Sequence, residues 1–377
     1  MIKKGLFIEL TTVKVVKIYQ LVYSYIRKLP HLCKKEEPMY SFKNDYAEGA
    51  HPNILQRLIE SNLEQHPGYG EDAYSVKAKQ LIRQQLAKEN TGIYFVTGGT
   101  QANRLVMTAF LRPHEAVISA RTGHIFVHEA GAIEASGHKV ITIDSPDGKL
   151  TPEAVEDILQ QHSLAPHMVK PKLVYISNST EIGTIYTKQD LTALSECCRK
   201  NQLYLFMDGA RLGSALAAPT GDLTLADVAR LTDAFYIGAT KNGGLLGEAI
   251  VINNPQLDVD FPYILKQNGA LLAKGRLLGI QFYELFRNDL YLNLARHANA
   301  AAARISDHVR SKGYKLLIAS PTNQIFPIFP NTLIEDLGRQ FQFYPWKKIN
   351  DQHTALRLIT SWTTAESMVD AFIAAIH

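Results

Sequence analysis

From residue 39 onward the chain sets short, unbroken apolar runs against longer segments in which apolar residues recur every three or four positions. The runs fall at 93–96, 116–119, 140–143, 173–176, 203–207, 234–237 and 249–252. They are short and β-rich without polar alternation, which is how strands covered on both faces read. Between them, 101–111, 152–162 and 188–200 follow a helical period, the second opened by Thr151 as N-cap with Pro152 at the first helical position. Strands alternating with helices predict an α/β protein with a mainly parallel, seven-stranded, doubly wound sheet and helices on both faces. Ligands on such sheets bind outside the carboxyl ends of the strands, so every polar residue just after a run becomes a candidate.

The pattern changes after Asn253-Asn254-Pro255. A long helical stretch runs to about residue 310, followed by "QIFPIFP", "ALRLITSW" and a final helix from about residue 364. Two strands with flanking helices predict a smaller C-terminal α+β domain. The chain therefore divides into an N-terminal extension, 1–38, a large domain, 39–255, and a small domain with its connecting helix, 256–377.

Composition narrows the class. Of 377 residues, 46% are hydrophobic and 20% charged, which fits a soluble, enzyme-sized globular protein and excludes disorder, collagen and coiled coil. The formal charge of +4 is uneven: 1–38 hold eight Lys/Arg against three acids, leaving the rest at about −1. No clustered basic face is expected there, and no nucleic-acid partner. Glu9, Lys14 and Lys17 interrupt the apolar stretches of the extension, so it fails as a spanning helix. It reads instead as a basic amphipathic surface helix or as a dispensable extension before Met39. Cys33, Cys197 and Cys198 form no CxxC spacing, so neither a disulfide framework nor a metal site is expected and a reducing, cytoplasmic setting fits.

The chemistry gathers at the ends of the runs. The first ends in "TGGTQAN", where Gly98 and Gly99 permit a tight turn, Thr100 offers a hydroxyl and a helix near Gln101 presents free N–H groups. That combination suits a phosphate, although it is neither a Walker A loop nor a GxGxxG fingerprint. In "YLFMDGARLGSAL" a buried strand ends in Asp208, with Arg211 three residues on. A carboxylate there needs a partner. The partner is Arg211, a helix N-terminus, or a cationic ligand atom such as the protonated ring nitrogen of pyridoxal phosphate, an electron sink that depends on an Asp. Lys241 follows the next run in a Gly-rich turn, "GATKNGG", where desolvation would lower its pKa as imine formation requires. His124, in "TGHIFVHEAG", could stack on a cofactor ring, with His128 one helical turn away.

With these residues in place, the chain resembles the L-threonine aldolase / β-eliminating lyase family of fold-type I pyridoxal phosphate enzymes. The resemblance runs from about Phe42 to the C-terminus and is carried by "NDYAEG", "GYGED", "TGGTQAN", "TGHIFVHEAG", "MDGARLGSA", "GATKNGG" and "RLITSW" in the family's order. It implies Lys241 as the lysine bonded to pyridoxal 5'-phosphate, Asp208 as partner of the pyridine nitrogen and His124 as the stacking residue. Gly99, Thr100 and Gln101 would hold the phosphate; Arg211 and Arg357 would receive the substrate α-carboxylate bidentately, and Arg211 could instead meet the cofactor's phenolic oxygen. Asn44 stands where similar enzymes carry a Ser near that carboxylate.

The implied activity is retro-aldol cleavage of an L-threonine or L-allo-threonine type amino acid to glycine and an aldehyde. The alternatives are β-elimination or transamination of another amino acid, and a non-catalytic binding protein. One motif departs from the family: "ENTHN", whose His is thought to handle the β-hydroxyl, is replaced by "SNSTEIGTIYT", which puts Thr180 or Glu181 there. The resemblance also implies a homodimer or homotetramer with shared active sites, residues 66–72 lying near the neighbouring subunit.

Overall fold

The computed structural model describes residues 39–377, and the readings of the extension 1–38 lie outside it. Residues 41–377 form one compact unit. Its centre is a sheet whose strands are β1 (Gly92–Val96), β2 (Glu115–Ala120), β3 (Val140–Ile143), β4 (Lys170–Ser177), β5 (Tyr204–Asp208), β6 (Ala234–Gly238) and β7 (Glu248–Ile252). Each of the seven apolar runs is one of these strands. The spatial order is β1-β7-β6-β5-β4-β2-β3, and β7 alone runs antiparallel to its neighbours.

The lack of polar alternation has its cause in the packing. Leu205 and Met207 of β5 join one buried cluster while Phe206 joins the other, so helices cover both faces. The helix Lys188–Lys200 begins at a capping box between Thr187 and Asp190, and Pro152–Gln161 begins at Thr151, whose side chain accepts from Ala154 N–H. Among the described residues no helix is long and apolar enough to cross a membrane.

The single long helix expected after residue 256 is a string of shorter ones: Pro255–Asp258, Phe261–Gln267, Arg276–Phe286 and the 22-residue Leu290–Ser311. Left-handed backbone at Gly269, Asn288 and Asp289 breaks it, a conformation that Gly and Asn/Asp adopt more readily than other residues. The helix Arg276–Phe286 packs on Ala73–Leu86, so closely that a Cβ on Gly279 would come within 2.2 Å of Ser75 Oγ. Leu290–Ser311 then carries the chain to a second, antiparallel sheet centred on His353–Ile359, flanked by Gln324–Ile325, Pro327–Pro330 and Tyr344–Lys348.

Candidate active site

The parallel strands deliver their carboxyl ends to one edge of the sheet, and β7, being antiparallel, delivers its first residue, Glu248, to the same edge. A cavity of about 300 Å³ opens there, lined by Gly99, Thr100, His124, Asp208, Lys241 and Glu248 among others.

Asp208 is buried, and four donors surround it. Its Oδ2 accepts from Tyr175 Oη at 2.6 Å and Asn103 Nδ2 at 3.1 Å; its Oδ1 accepts from Ala210 N–H at 3.0 Å and from Tyr236 Oη. Burial alone would raise its pKa, but the nearby His124 and the tyrosine donors outweigh that and hold it below the usual range. The register explains the arrangement. Ser177 pairs with Asp208 and Tyr175 with Phe206, so Tyr175 and Asp208 project from the same face of adjacent strands. A tyrosine in an otherwise apolar central strand needs a partner for its hydroxyl, which is the signal that could have found Tyr175 and Tyr236 from sequence.

The turn after β1 approaches the same carboxylate. A Cβ on Gly99 would lie 2.8 Å from Tyr236 Oη, so the close packing of turn and strand depends on glycine. The helix Gly99–Phe110 starts here with its free N–H groups at the cavity. Thr100 lines the cavity. Gln101 turns its amide oxygen back to Thr97, accepting from N–H at 3.0 Å and Oγ1 at 2.9 Å, and so serves the turn more than an external phosphate.

Lys241 sits in the turn between β6 and β7, its ammonium 5.9 Å from the centre of the Tyr46 ring. Loss of water lowers its pKa and Arg211 pushes the same way. Burial raises that of Glu248, which accepts from Thr240 Oγ1 at 3.0 Å. Gly243 in this turn has φ +89°, and a Cβ there would strike Leu294 Cδ1 at 2.5 Å. The turn is therefore glycine-rich by necessity.

Arg211 does not pair with Asp208. Its Nε and Nη2 donate to Asp45 at 2.7 and 2.9 Å, with Asn323 Nδ2 as a third donor at 2.9 Å. Asp45, inside "NDYAEG", went unnoticed in the sequence because its partner lies 166 residues away. Arg211 thus spends Nε and Nη2 on Asp45, and this contact bears on its expected place at the substrate carboxylate or the cofactor's phenolic oxygen. Asn44 accepts from Tyr46 N–H at 3.0 Å, leaving its NH2 group as the available donor.

Arg357, on His353–Ile359, is the opposite case. Its Nη2 donates to Gln324 Oε1 at 2.6 Å and its guanidinium lies 5.2 Å from the Trp346 ring centre, yet its Nε is buried with no partner among the described residues. Among the described residues it has no carboxylate in ion-pair range. Burial and the neighbouring Arg211 push its pKa down to about 10. Gln324 is itself anchored by donating to the Thr180 carbonyl at 3.1 Å.

His124 N–H donates to Glu181 Oε1 at 2.9 Å, and its Nδ1 lies 2.8 Å from Glu129 Oε1. Its ring centre is 5.5 Å from that of His128, which is exposed. Burial, His124 and then Arg357 lower the pKa of His128. Glu181 also accepts from Ser177 Oγ at 2.7 Å, and burial raises its pKa. Thr180 is spent on its own turn, its hydroxyl meeting Thr184 Oγ1 at 2.7 Å. Of the two candidates at the departing motif, Glu181 is the one that meets His124, at the histidine's backbone N–H.

Comparison with known proteins shows the beta-eliminating lyase family matching over residues 45–334. The chain belongs to that family. A low specificity L-threonine aldolase of Pseudomonas aeruginosa is 32% identical to this family member over 332 residues, 86% of the chain and 93% of the relative. Another from Pseudomonas sp. is 31% identical, with 87% and 94% covered. Among solved structures, the threonine aldolase of Leishmania major superposes with a TM-score of 0.87 at 49% identity, covering 89% of this chain and 98% of that one. The fold is that of the fold-type I pyridoxal phosphate enzymes, and lyases of this family depend on pyridoxal 5'-phosphate.

The residues present fit that cofactor. A lysine with a lowered pKa and an ionised Asp face one cavity, a glycine turn leaves a helix start open beside them, and an arginine with an orphaned buried Nε stands close by.

Proposed function

We propose that this family member is a carbon–carbon lyase that cleaves L-threonine or L-allo-threonine to glycine and acetaldehyde. The observation that carries the reading is the single cavity that joins Lys241 to Asp208. When bound, pyridoxal phosphate supplies an electron sink for the pair released at Cα. Asp208, kept ionised by its donors, would hold a proton on the ring nitrogen. Lys241 would hold the cofactor covalently, its lowered pKa favouring the neutral amine that such a bond requires.

The N–H groups and hydroxyl at Gly99 and Thr100 would receive the phosphate, and His124 would lie against the ring. Arg357 would take the substrate carboxylate with its unpartnered Nε, assisted by the Asn44 NH2 group. Arg211, fixed on Asp45, acts through its charge, depressing Lys241 and Arg357. Holding the carboxylate at one point limits how the substrate rotates, which decides the Cα bond that breaks.

The active assembly is a homodimer or homotetramer in the cytoplasm. Leu55 and Ile59, one turn apart on the helix Pro52–Glu60, and Leu63 just beyond it are exposed, Leu63 at 91%. Such a stripe on a soluble protein marks an association surface. Within residues 66–72, Asp72 is buried and caps the helix Ala73–Leu86 by accepting from Ser75, so that residue serves its own chain while Tyr69 remains exposed. The buried free thiols of Cys197 and Cys198 suit a reducing compartment.

Incubating the pyridoxal phosphate-loaded protein with L-threonine and L-allo-threonine, with Lys241→Ala as blank, tests the activity. Matched glycine and acetaldehyde, absent from the blank, are expected. 2-Oxobutyrate in their place would move the assignment to β-elimination.

A further inference from the structure

Glu129 is five residues beyond His124, and its side chain is fully removed from solvent. Its Oε1 lies 2.8 Å from His124 Nδ1 and also accepts from Asn103 Nδ2 at 2.7 Å. The same Asn103 amide donates to Asp208 Oδ2 at 3.1 Å. One NH2 group thus ties together two buried carboxylates, of which one lines the cavity and the other meets His124. Among the described residues Glu129 Oε2 and Asn103 Oδ1 have no partner, so the connection there runs in a single line from Asp208 through Asn103 and Glu129 to His124.

A carboxylate oxygen can only accept, so the hydrogen in the contact with His124 belongs to Nδ1. The hydrogen bond made by one ring nitrogen decides the state of the other. The His124 side chain is 32% exposed, and with Nδ1 turned inward the edge left to the cavity is that of Nε2.

We propose that Glu129, held in place by Asn103, is a positioning residue that fixes His124 as the Nδ1–H tautomer and leaves Nε2 as a proton acceptor on the substrate side. The functional part rests on the lyase reading above. Hydrolase triads use a buried carboxylate to set a histidine tautomer in the same way, and neutralising that carboxylate costs about 10⁴ in kcat.

Nitrogen NMR on the full chain, loaded with pyridoxal phosphate and labelled with ¹⁵N-histidine, reads the tautomer directly, with His124 assigned by His124→Gln. Spectra are recorded at alkaline pH, where imidazoles are neutral. The wild type is expected to carry the hydrogen on Nδ1. Glu129→Leu moves it to Nε2 and lowers kcat by about 10-fold or more with little change in KM. Glu129→Gln, whose amide oxygen can still accept, keeps the wild-type pattern and recovers most of kcat. A wild-type His124 with its hydrogen on Nε2, or a pattern unchanged in Glu129→Leu, overturns the proposal. Should the Leu variant fail to fold, the wild-type and Gln spectra decide, since Nε2–H in either is fatal. The spectrum reports the tautomer whether or not threonine is cleaved, so failure here and failure of the lyase reading are separate results.

Discussion

Among the described residues, Arg357 has a buried Nε without a hydrogen-bond partner and no carboxylate in ion-pair range. Burying a guanidinium without a carboxylate is costly, and the proposed substrate carboxylate would offset that cost. Arg357→Lys keeps the charge but loses the planar fork, so KM for L-threonine should rise about 10-fold or more with a smaller change in kcat, measured by steady-state kinetics. An unchanged KM would remove Arg357 from carboxylate binding. Asp208 and Lys241 were legible in the sequence because a charge at the end of an apolar strand needs an explanation close at hand. Asp45 and Asn323 were not, because their shared hydrogen bond spans 278 residues. Glu129 gave no signal either, since an acid just past a short helical turn looks solvated until its burial is known. Thr180 and Glu181 stood as alternatives in the sequence; in the structure the Thr180 hydroxyl meets Thr184 Oγ1 within its own turn.

At the level of elements, the seven central strands were readable because both faces are covered and their inner residues are largely apolar, with charges such as Lys170, Asp208 and Glu248 at the ends. Tyr344–Lys348 was missed. Its sequence, "YPWKK", contains Pro345 and two lysines, and among the described residues it pairs with one strand, His353–Ile359, an edge position where a proline and charges are tolerated. The string of helices after residue 255 looked continuous since helical periodicity persists across the left-handed residues that break it. The helix Pro52–Glu60 leaves Leu55 and Ile59 without cover while Ile54 is buried. Ile59→Asp should therefore lower the mass found by light scattering to that of one chain, since a charge at an apolar contact must be desolvated. An unchanged mass would place the association surface elsewhere.

For the molecule as a whole, acid sensitivity follows from opposing sets of carboxyls. Asp45, Asp208 and Asp227 are held below their ordinary range, burial being outweighed by Arg211 and Lys241 for the first, by His124 and the tyrosines for the second and by Lys188 and Thr224 for the third. Their contribution is complete above the unfolded value, about pH 4, and is lost as pH falls through the lower folded values. Glu181 and Glu248 are raised by burial, so they favour the folded state below about pH 4.5 and lose that contribution as pH rises toward their folded values. Calorimetry on the cofactor-free protein should find the highest Tm near about pH 5, with a steep fall below about pH 4. A Tm that holds constant to pH 3 would contradict these assignments. The clamp of Asp45, Arg211 and Asn323 joins the beginning, middle and end of the chain, and breaking a buried pair of this kind costs about 3–5 kcal/mol. During synthesis Asp45 leaves the ribosome long before either partner exists. The sheet can be laid down on the way, but the clamp gains its last member only after residue 323 has emerged, so a chain terminated before that point carries most of the scaffold and an Asp45–Arg211 pair short of its third donor.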